Sequence, residues 1–177
     1  MFKVNHPTSW LFTGATTISI LLSATLPLGS VQAQSSGVKQ AEILNAHNLY
    51  RRELNLPALT WSNNLAKSAQ QWADRLAITN SFEHSGTNNG ENIWKGSAKG
   101  FSQIQMVESW GSEKQNFVLG IFPNISRTGQ WFDVGHYTQI IWRNTTEVGC
   151  GLATDGINDI FVCQYHPPGN YQGEKVY

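Results

Sequence analysis

An α+β domain is the fold class this sequence predicts, on three observations. Helical apolar periodicity fills the first part of the chain, short β-rich runs close it, and 177 residues without a long linker suit one domain. Lys plus Arg and Asp plus Glu both number 12, so the charges cancel. No basic patch or acidic tail stands out, which argues against a nucleic-acid partner. Seven Trp and eight Phe supply enough apolar surface for a core.

Residues 1–33 have the grammar of a signal peptide. Lys3 and His6 form a weakly basic start, Leu11 to Leu28 is uncharged and apolar, and Val31 and Ala33 place small residues at a cleavage site. An uncleaved anchor is the alternative, but Thr, Ser, Gly and Pro27 make this run a poor spanning helix. The expected organisation is a leader over 1–33 and a domain over 34–177. The protein is then secreted or otherwise extracytoplasmic, periplasmic if its source is bacterial. In a eukaryote Asn124-Ile125-Ser126 and Asn144-Thr145-Thr146 are glycosylation acceptors.

Val38 to Leu56 predicts a first helix, because Ala41, Leu44, His47, Tyr50 and Leu54 recur at helical spacing and Pro57 ends the run. Ser62 is the expected N-cap of a second helix reaching about Ile78, with Leu65, Ala69, Trp72 and Leu76 on one stripe. Asn80 to Gly100 is polar and rich in Gly and Asn, and reads as loop. A third helix is expected from Ser102 to about Phe117. Gly111 lies inside it at a cost of about 1 kcal/mol against Ala. Phe117 to Asp133 is irregular and apolar. Three strands are expected at Tyr137–Arg143, Glu147–Ala153 and Asp159–Tyr165, with a hairpin at Asp155-Gly156.

A symmetric hairpin about Asp155–Asn158 sets Cys150 opposite Cys163, close enough for a disulfide. An exported chain favours the bond; the alternative is a pair of buried thiols. GxSxG, HExxH and P-loop signatures are absent. The remaining chemistry-bearing side chains are His and Glu in polar contexts: His84, Glu91, Glu113 on the third helix, and His136. His47 faces inward and reads as a hydrogen-bonded packing residue, His166 as exposed, and Glu108 as solvated. The Trp residues at 61, 72, 110 and 142 have core spacing.

Two long segments, Gly135-His136-Tyr137-Thr138-Gln139-Ile140-Ile141-Trp142 and Phe161 through Tyr171, resemble the signature motifs of the CAP superfamily. That superfamily includes cysteine-rich secretory proteins, venom antigen 5 and plant pathogenesis-related proteins. His47-Asn48 with Arg51 ahead of Pro57-Leu59-Trp61, then Gly90-Glu91-Asn92, then Val107, Trp110 and Glu113 fit in the same order. The resemblance spans roughly residues 40–172. It implies a three-layer α-β-α sandwich whose short antiparallel sheet is covered by helices. Gly111 departs from the aromatic residue usual there, which puts the placement of Glu113 in question. The single cysteine pair is another departure, since plant members have several.

The resemblance also implies a central cleft lined by His84, Glu91, Glu113 and His136. The two imidazoles are candidate ligands for Zn2+ or another divalent cation, bound weakly because two His leave a metal under-coordinated. Alternatively Glu91 is a general base on water, making the protein a metal-assisted, peptidase-like extracellular hydrolase. The third option is a polar cluster that only organises loops. Some family members bind sterols or fatty acids, so Phe117, Ile121, Phe122, Trp131 and Phe132 are candidate lipid contacts; the alternative is that they fold over the sheet. The expected function is a secreted binding module for a lipid, sterol, glycan or protein, with no established turnover.

Overall fold

A computed structural model describes residues 37–177; the expected signal peptide lies outside the described residues. Helices α1 (Gln40–Glu53), α2 (Asn63–Thr79), α3 (Gln103–Gly111) and α4 (Gly135–Ile140) surround strands β1 (Thr60–Trp61), β2 (Gly90–Ser97), β3 (Glu147–Thr154) and β4 (Asn158–His166). The strand order is β1-β3-β4-β2. The long pairs β3–β4 and β4–β2 are antiparallel. The two-residue β1 adds a parallel pair, Thr60 with Glu147 and Trp61 with Val148. The sheet is therefore mixed.

Alternation along β4 divides the protein into layers. Ile160 and Val162 join Ile93 of β2 and Ala69, Ala73 and Leu76 of α2 in one buried cluster. Phe161, Cys163 and Tyr165 point the other way, into a larger core with Ile43 of α1, Met106, Val107 and Trp110 of α3, and Ile140 of α4. Helix α2 thus covers one face, and α1, α3 and α4 cover the other. Each large apolar side chain fully buried here, such as Trp142 or Phe161, stabilises the fold by about 1.5–3 kcal/mol. Gly149 and Gly151 set the close seat of α2: a Cβ at either would stand 2.2–2.3 Å from the α2 backbone at Ala66 or Gln70.

The first two helices fall where the periodicity predicts. Ser62 occupies the N-cap of α2, but its side chain makes no capping bond; left-handed Asn80 closes the helix. Helix α3 starts with a full capping box, Ser102 Oγ accepting from Gln105 N and Gln105 Oε1 accepting from Ser102 N. It ends at Gly111, and Ser112–Asn116 continue as a 3-10 turn. The third helix is thus shorter than expected, and Glu113 sits on the turn.

Two expectations are corrected. Residues 90–97, read as loop, form edge strand β2, paired from Gly90 with Tyr165 to Ser97 with Asn158. Its low apolar content follows from its position, since Glu91 and Asn92 are placed there to hydrogen-bond. Tyr137–Arg143, read as a strand, contains most of helix α4. Tyr137, Ile140 and Ile141 are buried at i, i+3 and i+4, and that packing overrides the β propensity of Tyr, Thr and Ile.

The expected hairpin register holds, Ala153 opposite Ile160 and Cys150 opposite Cys163. The two cysteines are disulfide-bonded, with Cα atoms 4.1 Å apart.

Arg51 is the unexpected member of the core. It is fully buried, and its guanidinium donates to the carbonyls of Pro57, Ile140, Trp142, Arg143 and Thr145 at 2.7–3.4 Å. It thereby closes the C-terminal end of α4, where a cation complements the exposed carbonyls. Burial, followed by the nearby Arg143 charge, lowers its pKa to about 10, which leaves it charged at neutral pH.

Candidate functional site

The candidate site is built around the first residues of β2. Pairing alternates along that strand, so Glu91 faces Gln164 while Asn92 reaches Tyr165. Neighbouring residues of one edge strand therefore serve opposite faces of the sheet.

Glu91 is the hub on the α2 side. Its Oε1 accepts from His84 Nδ1 at 2.9 Å and from Ser85 N at 2.8 Å, and its Oε2 accepts from Gln164 Nε2 at 3.0 Å. Burial alone pushes this carboxyl up, but the bonds from His84, Ser85 and Gln164 outweigh it and hold the pKa below the ordinary value. The His84 ring is 66 % exposed. Its hydrogen bond to Glu91 raises its pKa against a smaller opposing effect of burial. Gln164 is fully buried, and its Oε1 has no partner among the described residues.

Glu113 organises the other side. Oε2 accepts from the backbone N–H groups of His136 and Tyr137, both at 3.0 Å, and Oε1 accepts from His136 Nδ1 at 2.6 Å. The carboxylate thus caps the first turn of α4 from outside that helix, where a negative charge is favoured. Trp110 stacks on the His136 ring, with centroids 6.0 Å apart and planes 18° apart.

The Gly111 departure has a steric reason. A Cβ there would lie 2.0 Å from Tyr50 Cζ, so the missing side chain is replaced by the Tyr50 ring from α1. The hydrogen bonds of Glu113 hold the carboxylate in place beyond it.

His84, Glu91 and His136 line a common cavity of about 500 Å³. Glu113 is not in its wall; it stands behind His136. Phe122, Trp131 and Phe132 also line the cavity, so part of the apolar segment belongs to the same hollow. Phe117 instead packs on Tyr137 and Tyr177. Ile121 is 51 % exposed and, with Val118 and Leu119, forms an apolar tip outside the cavity.

Sequence reasoning missed the supporting residues Asn92, Gln139, Gln164 and Tyr165. Gln139 is buried, donating to Thr145 Oγ1 and accepting from Gly169 N. Asn92 donates both to the His136 carbonyl and to Tyr165 Oη. Tyr165 Oη lies 2.9 Å from His47 Nε2, and His47 Nδ1 donates to the Ile43 carbonyl. A buried polar chain therefore runs from α1 through β4 and β2 to the His136 backbone. His47 is the hydrogen-bonded packing residue the sequence suggested, and burial lowers its pKa to about 4. His166 and Glu108 are exposed, as expected.

Each cleft imidazole spends Nδ1 on a carboxylate, which accepts only, so the proton sits on Nδ1 and Nε2 is left as the basic nitrogen. Carboxylate-oriented imidazoles are the arrangement found behind metal-binding His. No group of three or more His, Cys, Asp or Glu is arranged to hold an ion among the described residues. The donor set therefore fits at most a two-imidazole site completed by solvent.

The sequence profile of the Cysteine-rich secretory protein family (CAP) matches residues 44–165. Pathogenesis-related protein 1A of Nicotiana tabacum is 38 % identical over 165 residues, covering 90 % of this chain and 94 % of the tobacco protein. Cysteine-rich secretory protein 2 of Homo sapiens is 34 % identical over 148 residues, 77 % of this chain and 59 % of the human protein. Among solved structures, BmVAL-1 superposes with a TM-score of 0.66 at 26 % identity, covering 85 % of each chain. NaASP2, solved with Zn2+, gives a TM-score of 0.66 at 24 % identity over 78 % of this chain and 84 % of that one. No described helix is long and apolar enough to cross a membrane.

Proposed function

Because this chain belongs to the cysteine-rich secretory protein (CAP) family, we propose that it is an exported binding module whose His84–Glu91 and His136–Glu113 pairs form a weak divalent-cation and ligand site. The observation that carries this reading is the pairing itself. Both Nδ1–H groups are tied to carboxylates, leaving two Nε2 lone pairs at one cavity. A bound cation such as Zn2+ would supply a positive charge to hold a ligand oxygen. His84 and His136 are its ligands; Glu91 and Glu113 fix the rings and strengthen them as donors. Two protein ligands leave the remaining positions to water, so affinity is low. Export is supported by the leader grammar of residues 1–33.

Binding is favoured over turnover by the state of Glu91. Its oxygens already accept three hydrogen bonds, and its pKa is held below the ordinary carboxylate value, which makes it a poor general base at neutral pH. Titration calorimetry with Zn2+ tests the site. We expect one weak event, weakened about tenfold or more by Glu113→Gln and abolished by His84→Ala or His136→Ala. Equal affinity in the wild type and both His variants refutes the assignment.

A second reading concerns lipid. Val118 is 41 %, Leu119 58 % and Ile121 51 % exposed within one short turn, and clustered exposed apolar side chains mark contact surfaces. The tip is suited to contact a lipid or sterol-bearing surface.

A further inference from the structure

We propose that the cavity beside the His–Glu pairs binds a neutral oligosaccharide, one pyranose face stacked on the Trp131 indole, with Phe132 set edge-on to that ring and the hydroxyls held by the polar wall. This rests on the binding-module reading above and names the ligand class of that site.

The composition of the wall carries the argument. Its apolar members are all aromatic: Phe122, Trp131 and Phe132. Among the described residues no Leu, Ile, Val or Met lines it, so its apolar contact is planar ring surface alone. Among the described residues no Lys or Arg lines it either. Phosphate, sulfate and carboxylate groups therefore have no fixed cation to meet, and the carboxylate of Glu91 disfavours them. The remaining wall is amide, hydroxyl, imidazole and glycine backbone.

A pyranose fits this combination. Its C–H-bearing face is weakly electropositive and packs on the negative face of an aromatic ring. Its hydroxyls both donate and accept: the side chains of Thr87 and Asn89 can answer in either sense, and the Nε2 atoms of His84 and His136 accept. Few well-placed polar groups with aromatic walls are the usual make-up of a small-ligand cavity, and about 500 Å³ lies in the range such cavities occupy.

The Trp131 ring is also pre-organised. Trp131 is 45 % and Phe132 58 % exposed, yet Trp131 is seated against buried Phe122 at 5.3 Å between centroids. Gly135 leaves room beneath it: a Cβ there would come within 3.1 Å of the indole. Phe122 is held in turn by the C-terminal segment, donating to the Glu174 carbonyl and accepting from Gly173 N, both at 2.9 Å. An exposed ring held rigid loses little entropy on binding, which favours an otherwise weak sugar contact.

The test uses the whole domain in EDTA, so that metal binding plays no part. Cellohexaose, laminarihexaose, chitohexaose and mannohexaose are titrated by calorimetry and by tryptophan fluorescence. We expect sub-millimolar binding of at least one, weakened at least about tenfold by Trp131→Ala, consistent with about 1.4 kcal/mol or more per lost stacking contact. Phe132→Ala, further exposed and less coupled to the fold, should weaken it too, with an unchanged melting temperature. The proposal is overturned if all four sugars fail to bind at millimolar concentration. It is equally overturned if binding survives both substitutions, or if only vesicles or sterol bind and Trp131→Ala abolishes that. Failure here with Zn2+ binding intact removes the sugar and leaves the cation site standing.

Discussion

Acidification provides a quantitative probe of the buried polar chain behind the cleft. His47 is fully buried and neutral, donating from Nδ1 to Ile43 and accepting at Nε2 from Tyr165. Burial lowers its pKa from 6.5 to about 4, with the Arg51 charge adding to the effect and the Ile43 bond opposing it. The unfolded chain takes up this proton near pH 6.5 and the folded one does not, so unfolding binds protons between the two values. Stability contributed by His47 is complete above pH 6.5 and is lost as pH falls toward 4. At about 1.4 kcal/mol per unit, the loss is on the order of 3 kcal/mol. His84 acts with the opposite sign: its pKa is raised, so its contribution is full below 6.5 and disappears as pH rises through the folded value. The assay is urea unfolding from pH 7 to 4, disulfide intact, for the wild type and His47→Gln. The variant loses hydrogen bonds at every pH, but it lacks the titration. The difference between the two curves isolates His47, because His84 and the carboxylates are common to both. We expect the wild-type advantage to shrink by on the order of 3 kcal/mol across that window. Parallel curves would refute the reasoning.

Two further substitutions probe the frame of the site. Arg51→Ala leaves five carbonyls, three of them in buried bonds, without this donor and should lower stability by about 3–5 kcal/mol in chemical denaturation; a loss under 1 kcal/mol, roughly that of an ordinary surface change, contradicts the role given to it. Gly111→Ala should destabilise by about 1–3 kcal/mol despite its better helix propensity, because the new methyl meets the Tyr50 ring. Pairing it with Tyr50→Ala in a double-mutant cycle should recover most of that cost, and additive losses would show that the ring is not the obstacle.

The residues themselves carry much of this outcome. Helical periodicity located α1 and α2, because one buried stripe per helix is a local property of the chain. The hairpin register located the disulfide, because turn position and period-two alternation set which residues oppose one another. The resemblance motifs singled out His84, Glu91, Glu113 and His136 and left their geometry open.

Tertiary structure alone decided the rest. Whether residues 137–141 coil or extend depended on which of their apolar side chains met the core, and local propensity pointed the wrong way. Strand β2 was hidden because its pairing with β4 crosses more than sixty residues and its side chains serve the cleft instead of an apolar face. Arg51 showed nothing in its neighbours to mark a buried charge; four carbonyls from the distant segment 140–145, joined by that of Pro57, created its place. Gly111 read as a helix defect until the ring of Tyr50 was seen to fill it. Periodicity and turn chemistry act between near neighbours and can be read along the chain, whereas hydrogen bonds and close contacts among distant segments exist only once the backbone has brought them together.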